Sequence, residues 1–167
     1  MKIPLFVGNS LSLLILSTAI VLAEYGWLTP PPVRIFILIV CWFLVLYFSH
    51  CLTHYIVGRL LGVEFDYYFL SSSMLSKANI PLSNIFSTRI FLTLKIRRRA
   101  TKRKMFIMFL SGPLASMFFP LIVVIIAHGY DRLSSTILAL ISMANILFTG
   151  YFSYKHGCIR KAINSLR

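Results

Sequence analysis

Residues 33–54 read VRIFILIVCWFLVLYFSHCLTH, an apolar run with a single charge, Arg34, at its start and two histidines, His50 and His54, at its end. A bilayer core about 30 Å thick takes about 20 apolar residues to cross as a helix. The run is long enough, and the apolar pattern continues to about residue 61. At about 1.5 Å of rise per residue, His50 lies roughly 25 Å along that helix, so both imidazoles fall within its apolar length. Histidines four apart share one face of a helix, one turn above each other. Polar rings in hydrocarbon are costly without partners, so two readings stand: the pair ligates a metal ion, or it hydrogen-bonds to neighbouring helices.

The rest of the chain agrees with a membrane protein. Hydrophobic residues make up 58% of the sequence, against about 45–50% in soluble domains. The mean hydropathy is +0.83. Three further apolar stretches, about 5–27, 105–128 and 133–154, are long enough to span. The first is expected to be retained as a helix, because no small-residue cleavage site stands out before Pro30. The segment 63–104 differs: it alternates (Val63, Phe65, Tyr67, Phe69, then 85–94) and carries Ser, Asn and Pro interruptions. That pattern predicts short strands or a re-entrant hairpin. The expected fold is therefore an α-helical integral membrane protein, one domain over 1–167. It has about four transmembrane helices and a strand-like, cytoplasmic-side segment between the second and third.

The net charge of +13 raises the question of nucleic acid. The basic residues instead cluster between apolar runs, and the run 95–104 (KIRRRATKRK) lacks aromatic interleaving or a nucleic-acid motif. With both termini cytoplasmic, 15 Lys and Arg fall inside and only Arg34 and Arg132 outside, a strong positive-inside bias. The partner this implies is the lipid bilayer with its anionic headgroups, and no nucleic acid. Three cysteines, Cys41, Cys51 and Cys158, make no even framework and are expected to be free thiols. Cys158, at the inner interface, is open to acylation or to a role as an added ligand. Trp27 and Trp42 are candidate interfacial anchors.

Three stretches, in order, resemble the site-2 protease family of intramembrane zinc metalloproteases. The first is His50-Cys51-Leu52-Thr53-His54 with the tail Gly58-Arg59-Leu60-Leu61-Gly62-Val63, similar to the family's H-E-x-x-H and its glycine-containing tail. The second is Ser111-Gly112-Pro113-Leu114-Ala115-Ser116, and the third is Asn145-Ile146-Leu147 with Lys155-His156-Gly157 beyond it. The resemblance covers the chain from about residue 33 to its end. It implies a zinc site at His50, His54 and His156, the last standing where the family has Asp. It implies substrate contacts at Asn145, Gly112 and Pro113, and strand-like segments able to add a substrate strand. It also exposes departures. Cys51 occupies the place of the catalytic Glu, and a thiol is a poor general base. Phe148 replaces a family Pro, and Thr53 a usual Gly.

The expected function is a site-2-protease-like membrane protein without peptidase activity. It would retain a zinc site and bind transmembrane segments of other proteins or a partner protease. Alternatives are an active intramembrane protease with altered proton transfer, and a structural or regulatory membrane protein without metal.

Overall fold

A computed structural model describes residues 2–71 and 91–167. The chain begins with a short strand β1 (Lys2–Pro4) and runs into helix α1 (Leu5–Glu24), which ends in a 3-10 turn over Tyr25–Leu28. Helix α2 (Pro31–Leu60) follows, then strands β2 (Glu64–Ser71) and β3 (Phe91–Arg98). Helices α3 (Lys102–Phe118), α4 (Leu121–His128), α5 (Arg132–His156) and α6 (Cys158–Leu166) complete it. Four helical stretches are long and apolar enough to cross a membrane: Leu5–Leu28, Pro31–Leu60, Lys102–His128 and Arg132–His156. These match the four expected spans. The third is made of α3 and α4, broken at Phe119-Pro120, where Pro120 has no N–H to continue the ladder.

The exterior of these helices is apolar. Ile125, Leu133 and Leu147 are each between 72% and 74% exposed, a surface suited to lipid and not to water. Inside, Ala19 and Ala23 of α1 and Ala127 of α4 are fully buried with Leu38, Val123 and Leu138. Small residues let helix backbones approach where lipid gives no hydrophobic drive to associate. Trp42 belongs to this core. It is 7% exposed, and its Nε1–H donates to Ser142 Oγ at 2.8 Å, tying α2 to α5. The interfacial role expected for Trp42 gives way to packing, since its position mid-helix puts the indole between helices. Trp27, 55% exposed at the helix end, remains free to sit at an interface.

One end of the bundle is closed by polar contacts. Arg34 at the start of α2 meets Asp131 at 3.3 Å, and Asp131 caps α5 by accepting from the Ser134 amide at 3.1 Å and hydroxyl at 2.7 Å. These Ser134 bonds, then Arg34, hold the Asp131 carboxyl below its usual 3.8. A carboxylate with a lowered folded pKa stabilises at pH above the ordinary value, and the stabilisation is lost as pH falls through the folded one. Asp131→Ala should therefore cost about 1 kcal/mol at neutral pH, as loss of an N-cap does. The difference from the parent in thermal unfolding in detergent should shrink steadily as pH drops below 3.8. A gap independent of pH would sink this assignment.

At the other end α2 stops on a Schellman turn. The Val63 amide donates to Gly58 O at 2.8 Å and the Gly62 amide to Arg59 O at 3.0 Å, with Gly62 at φ +82°. Glycine takes that left-handed conformation without a Cβ penalty. The turn redirects the chain into β2, which pairs antiparallel with β1 (Lys2 opposite Phe69) and with β3 (Glu64 opposite Arg98). So the expected strand-like segment supplies two strands in its described parts, and β1 from the N-terminus completes a three-stranded sheet ordered β1-β2-β3. Of the expected strand 85–94, residues 91–94 lie in β3 and the remainder lies outside the described residues. Val63 and Phe65 bury against Met105 and Met108, seating the sheet on the start of α3. β1, three residues long, is too short to announce itself; α6 is marked only by apolar residues at 158, 159, 162, 163 and 166, one face of a short amphipathic helix.

Candidate metal centre

The two histidines sit in the last third of α2, facing α3. Their rings lie 4.8 Å apart between centroids and nearly perpendicular, at 85°. Each ring is fixed through its Nδ1. His54 Nδ1 lies 2.6 Å from the backbone oxygen of Met108. A carbonyl only accepts, so Nδ1 carries the proton and Nε2 offers a lone pair. His50 Nδ1 lies 2.8 Å from Ser116 Oγ, whose own hydroxyl is directed to Gly112 O at 3.2 Å. With the serine proton used, His50 Nδ1–H is likewise the donor, and its Nε2 is also left as a lone pair. An imidazole oriented at one nitrogen by a hydrogen bond is how proteins present the other to a metal.

α3 is shaped to permit this. Gly112 lies against the His54 ring, and a Cβ there would collide with Nε2, Cδ2 and Cε1. Pro113 follows it, buried inside the helix, and removes the N–H that would have paired with the Phe109 carbonyl. Gly112 and Pro113 thus admit the histidine to the α3 backbone. Asn145 on α5 donates from Nδ2 to Ser116 O at 2.9 Å and accepts from Thr149 Oγ1 at 3.0 Å. Its Nδ2 ties α5 to α3 and steadies the serine that holds His50, while its Oδ1 is engaged within α5.

The third donor comes from α6. Cys158 opens that helix, directly after Gly157, and its Sγ lies 3.8 Å from His50 Nε2. His50, His54 and Cys158 form a group whose ligand atoms all lie within 4.8 Å of one another, close enough to hold a metal ion. At usual zinc bond lengths two tetrahedral N and S donors sit about 3.6 Å apart, so contraction by about 1 Å closes the widest pair. His54 Nε2 is buried with no hydrogen-bond partner among the described residues. An unpaired buried nitrogen costs about 1–3 kcal/mol, and an ion at this point would satisfy it. Burial pushes the Cys158 thiol above its ordinary value, with the Lys161 charge acting against the shift. Ligation requires the thiol to give up its proton.

His156, the third ligand expected from the sequence, is exposed at the end of α5 and lies outside this group. The physical reason is the break at Gly157. α5 ends there, and α6 folds back against α3, carrying the residue two positions later into the site. Cys51, at the place of the family's Glu, also stands outside the group. It turns toward the sheet and donates from Sγ to Leu92 O at 2.7 Å. The Leu92 amide in turn donates to Tyr47 Oη at 3.1 Å. None of the chain's four carboxylates joins the group. Asp131 caps α5, Asp66 lies near Arg97 at 3.9 Å, Glu24 ends α1 and Glu64 begins β2. His128 is exposed at the end of α4. No family model, curated protein or solved structure matches the chain.

Proposed function

We propose that this chain is an integral membrane zinc-binding protein of the site-2 protease type that holds the ion through His50, His54 and Cys158 and does not cleave peptide bonds. The observation that carries this is the buried, unpartnered Nε2 of His54, set beside the lone pair of His50 and a thiol. Two imidazoles and one sulfur suit zinc, and three protein ligands leave a fourth position open. Bound zinc would supply a Lewis acid there. Metallopeptidase chemistry also needs a general base at the metal, and the family's Glu position holds Cys51, whose proton points to Leu92 O. The protein would therefore keep the fold and metal of such an enzyme and lack its proton transfer. Its partners would be transmembrane segments of other proteins or a protease of the same membrane. The charge asymmetry favours cytoplasmic termini.

Metal analysis of the full chain purified in neutral detergent tests it. About one zinc per chain is expected, with no cleavage of transmembrane peptides at any zinc level. Zinc-dependent cleavage lost in His54→Ala would establish an active protease instead. Protein without zinc that also fails to take it up would make the histidines packing residues, a role favoured by their bonds to Ser116 and Met108.

A further inference from the structure

The basic end of the molecule carries a groove separate from the metal centre. It lies between the turn from β3 into α3 and the last turn of α6. Arg99, Lys102 and Arg167 rim it, Asn164 closes one side, and Met105 and Phe109 are its apolar lining. The three cations are exposed, whereas Met105 is 4% exposed and Phe109 partly buried. Lys102 Nζ donates to the backbone oxygen of Arg167 at 2.7 Å, which fixes the rim by joining the start of α3 to the end of α6.

Among the described residues no Asp or Glu side chain meets the charge on this rim, and Lys102 is engaged by the terminal oxygen of Arg167. The chain has 17 Lys and Arg against 4 Asp and Glu. Among the described residues the ion pairs with Asp are Arg34–Asp131, at the opposite end, and Arg97–Asp66 on the sheet. Among those residues, none of the rim cations has an acidic side chain within salt-bridge reach. The guanidinium groups of Arg99 and Arg167 are therefore left for a partner outside the chain. A small free anion would use the rim and gain nothing from Met105 and Phe109. An amphiphile uses both, because the cations rim the groove and Met105 and Phe109, near the start of an apolar span, line it.

We propose that this groove binds an anionic phospholipid, its phosphate held by Arg99, Lys102 and Arg167 and its acyl chain running along Phe109. Arg and Lys both serve phosphate, arginine through paired N–H groups. A basic run at 95–104 is plain in the sequence; the return of α6 to it, which turns a run into a site, is not.

Native mass spectrometry of the full chain in neutral detergent, titrated with phosphatidylglycerol or phosphatidylcholine, tests the proposal. Phosphatidylglycerol should be retained at least about tenfold better. Arg99→Gln/Lys102→Gln/Arg167→Gln should bring it to the phosphatidylcholine level. Lys95→Gln/Arg97→Gln/Arg98→Gln removes the same charge from the neighbouring strand and should keep the preference. Equal loss in both triple variants would overturn the site in favour of diffuse attraction. Displacement of the lipid by millimolar inorganic phosphate would overturn the lipid as its occupant and leave a free-anion site. If the rim triple variant does not fold, the single Arg99→Gln, at an exposed position, must still lower retention by roughly fivefold. Unchanged retention there overturns the proposal.

Discussion

His54→Ala is expected to purify without zinc, and Cys158→Ala to lose it almost as completely, while His156→Ala keeps the full complement. Each of the first two removes one of three donors whose atoms converge within 4.8 Å. Even a residue that only orients a ligand is worth about 10–100-fold in metal affinity, so a donor itself should cost more than about 100-fold. Ser116→Ala tests that lower range. It leaves all three donors and removes the oxygen that takes the His50 proton at 2.8 Å, so affinity should fall within about 10–100-fold. His156 is exposed beyond the end of the site, and its removal should leave affinity unchanged. Zinc titration against a chromophoric chelator reads all four. Loss in His156→Ala with retention in Cys158→Ala would invert the ligand assignment.

Substitution of Cys51 should act on folding, and a restored carboxylate should act most strongly. Cys51 is 8% exposed, and its thiol faces the Leu92 carbonyl at 2.7 Å. Serine can donate to the same oxygen, so Cys51→Ser should stay within about 1 kcal/mol of the parent. Cys51→Glu sets a buried carboxylate against a carbonyl, two acceptors with no proton between them. An uncompensated buried charge costs several kcal/mol, so this variant should unfold at markedly lower temperature or denaturant. It should gain no peptidase activity from the change of residue alone. A Glu variant of parental stability that cleaves peptides would show that the side chain reaches the metal, and would overturn the orientation of residue 51 toward the sheet.

The spans and the His50/His54 face are legible in the sequence because hydropathy and helical period are local properties. So is the strand character of 63–70, from its alternation. The third donor is legible only as one option for Cys158, an added ligand or an acylation site. His156 and Cys158 differ by two positions, and which of them enters the site depends on where α5 ends and how α6 folds back. That is decided by packing on α3, which no local pattern encodes. Gly157 is the one available signal, as a helix breaker just before a cysteine. Trp42 misleads for a related reason. Composition marks an indole as interfacial, but its partner, Ser142, stands 100 positions later in the chain. Asn145 can be read either as a substrate contact or as a bond between helices, and its tie to Ser116 is of the second kind.

The donors also have a topological consequence. His54 lies on the second span and Cys158 beyond the last, roughly 100 residues later along the chain. An ion held by both is a removable cross-link that encloses β2, β3 and two spans in one loop. In the chain-entropy account a covalent link of that length is worth about 4–5 kcal/mol, an upper value for this protein because lipid already confines the helices. Chelation would then leave the C-terminal helix held by its packing on α3, by the Ile159 amide on Ser153 Oγ at 3.1 Å and by Lys102 on Arg167 O at 2.7 Å.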